Sequence, residues 1–409
     1  GADINAKENW GEQSAIMWAA AESQADMVKF LASRGANLND HGKVNQWERK
    51  IIQEPRPKDM NKGGFTPLLY AAREGCAACV HDLLAAGADP DSEDPDRETP
   101  LLLAIENMHF DTAAVLIQGG ADLNKWDLFG RSPIYMAADV STLPVKGNGA
   151  MAVLPSMDKL TALDIGRMLL EKGADPNLQL KRRPPYRDVP QDRGGDTMLA
   201  QGATPLLRAA RAGDAKFVAL LLEYKALVDL PSKEGITPLM AAAGVDFGTR
   251  VTRGRNRTDE GVLATMDLLI KAGADVNARS VFDRNLGYGS RGGSSGFAAG
   301  DSASARIAQS FRRGSQVPSA NAVPNQTALH GAAEHGFDKF IEFLVAHGAD
   351  LTAKDANGRT PLDAARGAGG GRGGPDAFPK TVALLESLMQ SKGIAAPAPA
   401  GSKLQSKAQ

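Results

Sequence analysis

Gly64-Phe65-Thr66-Pro67-Leu68-Leu69-Tyr70-Ala71-Ala72-Arg73-Glu74-Gly75 is the stretch that decides the fold of this chain. Thr66 can accept an orphan N–H of a first helical turn, and Pro67 falls at the first helical position, where its missing N–H costs nothing. Leu68, Ala71 and Ala72 stand at i, i+3 and i+4, one face of a short helix. Gly75 ends that helix. A second short helix follows, with Val80, Leu83 and Leu84 facing inward, and Gly87 closes it in the left-handed conformation. Asp89 and the polar residues after it turn the chain outward towards the next unit.

The opening phrase returns at Thr99-Pro100-Leu101, Ser132-Pro133-Ile134, Thr204-Pro205-Leu206, Thr237-Pro238-Leu239, Thr327-Ala328-Leu329-His330 and Thr360-Pro361-Leu362, with a looser copy at Ser14-Ala15-Ile16-Met17. The closing phrase Gly-Ala-Asp, or a near copy, returns at Gly1, Gly35, Gly87, Gly120, Gly173, Gly273 and Gly348; the tightest spacing, Gly87 to Gly120, is 33 residues. Neither helix of such a unit can bury its apolar face alone, so the units must stack into a solenoid. A solenoid offers broad outer walls in place of one central chamber. That moves the expected function from catalysis to holding another molecule.

These residues resemble the ankyrin repeat: T-P-L-H-x-A-A, a Gly, a V-x-x-L-L helix, then G-A-D-x-N. Residues 327–352 are a close copy, with Leu329-His330, Ala332-Ala333, Gly336, Ile341, Leu344 and Gly348-Ala349-Asp350 in place. The resemblance implies an all-α ankyrin-repeat solenoid of about eight helix–turn–helix units with projecting turns, beginning near 11, 64, 97, 129, 202, 235, 325 and 358. Residues 1–10 read as the tail of a truncated upstream repeat, 11–390 as the repeat domain and 391–409 as a disordered Ala/Pro-rich tail. The long insertions look like those of a subset of bacterial ankyrin proteins. That likeness implies an exported or periplasmic protein, with the cytoplasm as the alternative.

The insertions enter at two places. Those near 41–63, 178–201 and 279–324 lengthen the projecting turns; those near 140–162, 244–261 and 367–378 lengthen the turn between the two helices of a unit. The two classes should emerge on opposite rims, without interrupting the stacked helices. The turn insertions are basic, at +3, +2 and +4, in a chain of 409 residues whose net charge is −1. One rim should therefore be positive against an acidic frame. The 279–324 stretch is rich in Gly, Ser, Ala and Arg and should be mobile, with a short helix near Ala305–Phe311. Residues 379–390, carrying Val382, Leu385 and Leu388 on one face, should close the stack.

Other signals read more plainly. No apolar run approaches the length of a membrane span. Cys76 and Cys79 form an isolated Cys-x-x-Cys without the further ligands that zinc needs. The first reading is a helix-start residue and a core residue, with a local disulfide as the alternative. The acidic run from Asp89 to Glu98 lacks the order of a calcium loop and is broken by Pro90 and Pro95, so no metal site is expected. None of the six histidines is paired with a nucleophile or ligand cluster, and His330 belongs to the repeat consensus. No catalytic residue and no cofactor are assigned, and the chain is read as a monomer.

The expected site is partner-binding. In the ankyrin pattern Trp126, Leu128, Phe129 and Arg131 fall on a projecting turn that normally faces a partner, and their chemistry is that of binding hot spots. The competing reading is that the 140–162 insertion or a neighbouring turn covers them. Trp10 and Trp47 could join the same surface. The two positions after Ala-Ala face the groove in this family; here they include Arg73, Glu74, Glu106, Asn107, Arg211 and Glu334. The expected partner is a protein. The alternative is a nucleic acid or other polyanion on the basic insertions, where Arg291-Gly292-Gly293 and Arg372-Gly373-Gly374 each occur once with few aromatics nearby.

Overall fold

The computed structural model describes residues 1–45, 63–142, 156–181, 201–245, 257–281, 324–367 and 378–396. These residues hold sixteen helices and, as β-structure, only the isolated bridges Lys7–Ser14 and Val44–Gly63. The helices come in successive pairs: α1 Ala15–Ala21 with α2 Ala25–Ser33, α3 Pro67–Glu74 with α4 Ala77–Ala85, α5 Pro100–Glu106 with α6 Phe110–Gln118, and α7 Pro133–Ser141 with α8 Ala162–Glu171. There follow α9 Pro205–Ala212 with α10 Ala215–Glu223, α11 Pro238–Ala243 with α12 Asp259–Lys271, α13 Ala328–Glu334 with α14 Asp338–Ala346, and α15 Pro361–Ala365 with α16 Pro379–Ser391.

Each first helix starts as its opening phrase dictates. The hydroxyls of Thr66, Thr99, Ser132, Thr204, Thr237 and Thr360 accept an N–H of the first turn, with Pro next in the chain each time. Such a cap stabilises a helix by about 1 kcal/mol, which matters for helices of five to nine residues. At Thr327 the following residue is Ala, and His330 supplies the missing order. Its Nδ1 accepts the Thr327 N–H at 3.2 Å, and its Nε2 lies 3.0 Å from the Arg359 carbonyl. Burial pushes the His330 pKa down, so the ring sits neutral as a structural pin between two units. Second helices close on a residue with positive φ, for example Gly87 at 96°; Lys225 takes the same role at 63° without glycine's freedom.

First helix packs on first helix and second on second, pair after pair, around one continuous strip of buried apolar residues. Paired alanines such as Ala71–Ala72, Ala137–Ala138, Ala209–Ala210 and Ala332–Ala333 are buried, which lets neighbouring helices approach closely. Two inward faces differ from expectation. Leu84 is only half-buried, with its Cδ1 over Gly119 at the end of α6. On α16 the buried stripe is Thr381, Leu385 and Met389, with Val382 and Leu388 half-buried at its edges. The stripe is set by i, i+4 spacing from Leu385.

Two rows of hydrogen bonds run along the turns. The N–H groups of Lys43, Leu128, Lys181, Lys233, Val281 and Ala356 donate to the carbonyls of Gly11, Asp96, Phe129, Gln201, Glu234 and Pro324 in the turn before, at 2.7–2.9 Å. A second row uses side chains: Asn5, Asn39, Asp91, Asn124, Asn177, Asp229 and Asn277 each accept a backbone N–H from the following unit, at 2.8–2.9 Å.

Where long insertions leave the projecting turns, their bases are closed. Gly42 and Gly64 pair with Phe65 and Lys43, Leu180 and Gly202 with Ala203 and Leu180, and Ser280 and Asn325 with Gln326 and Ser280. The other insertions leave between complete helices, after α7, α11 and α15. Most of the basic insertion residues, Trp47, the stretch 305–311 and the tail from 397 lie outside the described residues.

Candidate functional site

The turn before α7 was expected to offer Trp126, Leu128, Phe129 and Arg131 to a partner. Phe129 and Arg131 are instead buried, which corrects that expectation for these two residues. The cause is a clasp between units. Asp127 Oδ1 accepts the N–H groups of Phe129 and Arg131 at 2.9 and 2.8 Å, and Asp127 Oδ2 accepts Arg131 Nε. The far side of the guanidinium reaches back one unit: Nη1 donates to Glu106 and Nη2 to Glu98, each at 2.9 Å. Phe129 lies under the guanidinium, 5.6 Å from centroid to Cζ. The next turn seals the assembly, since Lys181 donates its N–H to the Phe129 carbonyl and sets Nζ 5.5 Å from the Trp126 ring. Trp126 and Leu128 stay half-exposed. A neighbouring turn is thus what covers this motif.

Burial and the nearby Glu106 carboxylate push the Glu98 pKa well up, against the pull of Arg131. The same clasp is built once more, at Asp355 and Arg359. Asp355 Oδ1 accepts the Arg359 N–H at 2.9 Å, Oδ2 accepts Arg359 Nε at 2.8 Å, and Arg359 Nη2 reaches Glu334 at 3.2 Å. There the position of Glu98 is taken by Gln326, whose amide donates to Glu334 at 2.7 Å. Asp-x-x-Gly-Arg before a helix cap is a signal that could have foretold both clasps, because the Gly turns the Arg back over its own Asp.

Of the groove positions, Glu74 and Asn107 are exposed, Arg73, Glu106 and Glu334 are half-buried, and Arg211 is buried. Arg73 pairs with Glu74 at 2.6 Å and lies over the Phe65 and Tyr70 rings at 5.4 and 5.1 Å. Arg211 is corrected as a groove residue. It lies under Arg257, which donates to the Arg211 and Ala242 carbonyls at 2.9 and 2.5 Å and stands over Phe337 and Phe340. Beside them His335 has its pKa lowered to about 4, first by burial and then by Arg211 and Arg257.

Sequence reasoning missed a fully buried ion pair. Arg208 on α9 donates through Nε to Asp139 Oδ1 at 2.6 Å and through Nη2 to the Asp139 carbonyl at 3.2 Å. The available signal was partial: Arg208 stands where the neighbouring first helices carry Tyr70, Leu103, Met136 or Ala241, whereas Asp139 stands at the first position after Ala-Ala, which is charged in several of them. Cys76 and Cys79 form a disulfide across the first turn of α4, with the Cys79 side chain in the core. The alternative reading of the pair is therefore the one observed. Among the described residues no group of His, Cys, Asp and Glu could hold a metal ion, and no helix is long and apolar enough to cross a membrane.

Comparison with known proteins places this architecture. The family described as "Ankyrin repeats (3 copies)" matches residues 1–94 and 68–145, and "Ankyrin repeat" matches 201–233 and 325–356. The chain is 28% identical over 179 residues to putative palmitoyltransferase ZDHHC13 of Danio rerio, covering 40% of this chain and 25% of that protein. It is 25% identical to ankyrin repeat and KH domain-containing protein mask-1 of Caenorhabditis elegans, covering 84% of this chain and 10% of that protein. It is 26% identical to NF-kappa-B inhibitor zeta of Homo sapiens, covering 47% and 32%. The chain thus spans a third or less of the length of these relatives. The solved human ASB11 ankyrin repeat domain is similar with a TM-score of 0.47 at 18% identity, over 82% of this chain and 100% of that one. Capped helix pairs stacked turn on turn, and family matches that together run over half of the sequence, lead to one assignment: the chain belongs to the ankyrin-repeat family.

Proposed function

We propose that this chain is a non-catalytic scaffold that binds a protein partner across its first helices and projecting turns. Ankyrin repeats generally serve protein–protein interaction and are generally non-catalytic, which supports the class. The observation that carries the reading is the row of hydrogen bonds that ties six of the described turns to the turn before. It holds the surface in order before any partner arrives, so little entropy is lost on binding. The residues with exposed surface are Glu74 and Asn107 and, in part, Arg73, Glu106, Trp126, Leu128 and Glu334. Phe129, Arg131 and Arg211 act beneath them as supports.

The test compares proteins captured from the native source by the wild-type chain and by Glu74→Arg/Asn107→Arg/Trp126→Ala. A protein retained by the first and lost by the second, with unchanged thermal unfolding, supports the reading. Survival of every captured protein overturns the choice of surface. Affinity that falls about 10³-fold or more between about 50 and 200 mM salt would mark a polyanion in place of a protein.

A further inference from the structure

Two registers of the helix pair point at the pair before it. The last pair shows this directly. Ala364 on α15 and Leu385 on α16 are buried, although among the described residues only α13 and α14 pack beside that pair. Earlier pairs fill the first register with Tyr70, Leu103, Met136, Arg208, Ala241 and Gly331, all buried. They fill the second with Cys79, Thr112, Ile165, Phe217, Thr265 and Phe340, all buried. In the first pair the same registers hold Trp18 and Met27, exposed by 48% and 50%, with Phe30 exposed by 50% one turn further along α2. Ala2 is exposed as well, whereas its counterparts Ala36, Ala88, Ala121, Ala174, Ala274 and Ala349 are buried.

We propose that the Trp18–Met27–Phe30 face is a docking surface for one further helix pair of this same repeat, seated on α1–α2 as α1–α2 sits on α3–α4. The face continues an interface that the chain already builds between every successive pair. A second copy of the chain is a poorer fit. Facing α1–α2 with itself would set large side chains against large ones, and at the other end of the stack α16 exposes Lys380, Ser387 and Gln390 and no large apolar group. The occupant must carry small residues opposite the large ones. Within the chain, Phe217 enters space that Gly166 leaves open, its Cζ 2.7 Å from where a Cβ would stand.

The test adds such a pair. Copies of residues 99–119 and of 327–347 each end one residue before a Gly-Ala-Asp phrase, so each can be joined directly to Gly1. Hydrogen exchange in α1 and α2 should slow about tenfold or more in at least one fusion, and urea unfolding should move to higher concentration. Met27→Glu, harmless in the unfused chain because the site is open, should cancel the gain in the fusion. If neither copy protects α1 and α2, the proposal fails. It also fails if the unfused chain sediments as a dimer in which these helices are already protected, because the occupant is then a second copy.

Discussion

One guanidinium in the fourth pair holds three carboxylates, while its counterpart in the eighth holds two, one of which also accepts from the neutral Gln326 amide. Glu98 is the surplus acid. Its folded pKa is raised by burial, so the fold loses stability as pH rises from the ordinary glutamate range to that raised value, and no further beyond it. Glu98→Gln, the choice already made at Gln326, should therefore stabilise the chain by about 1 kcal/mol at neutral pH and remove that part of the pH dependence. Urea unfolding at two pH values checks both. The Arg208–Asp139 pair behaves differently, because both partners are fully buried. Asp139→Ala strands a charge and should cost about 3–5 kcal/mol, whereas adding Arg208→Met should restore most of it; a double-mutant cycle in urea reads the difference. The local half of the clasp, Asp127 with Arg131, was legible in the sequence, but the partners from other units were not. Arg208 and Asp139 are 69 residues apart, and Arg131 finds Glu98 at a separation of 33. Only stacking brings such residues together.

The repeating element was the legible part. Its start and stop signals are local: a capping hydroxyl, a proline, small residues five and six positions after the cap, a glycine at the close. The side-chain row along the turns was half-legible, since the Asn or Asp could be read but its acceptor role towards the next unit could not. That row contains an internal experiment. Asn277 accepts the Asp350 N–H and also donates Nδ2 to the Gly348 carbonyl at 3.0 Å. Asp229 stands in the same place with nothing to donate, and its Oδ1 is buried without a partner. Burial, with Asp275 close by, raises its pKa. Asp229→Asn should supply the missing donor and stabilise the chain by about 1 kcal/mol at neutral pH. The gain should shrink as pH falls through the raised value towards the ordinary aspartate range, which chemical denaturation across that window measures.

At the scale of the molecule, stability is a sum of pairs and the joints between them. The joint from α8 to α10 is a close one, with Phe217 over Gly166. Gly166→Val should overfill it, at a cost of about 1–3 kcal/mol. Hydrogen exchange should then show α1–α6 and α11–α16 opening at different urea concentrations, where the wild type opens them together. The stacked architecture followed from periodicity alone, but the burial of Phe129, Arg131 and Arg211 did not. Turn and groove positions look the same in sequence whether they meet solvent or a neighbouring unit. At Ser280 the turn is already closed, its N–H donating to Gln326 and its carbonyl accepting from Asn325, so a graft between 282 and 323 would start and end at a hydrogen-bonded base. A foreign folded domain grafted there should ride along while shifting the melting temperature of the body by less than about 4 °C, as differential scanning calorimetry would record.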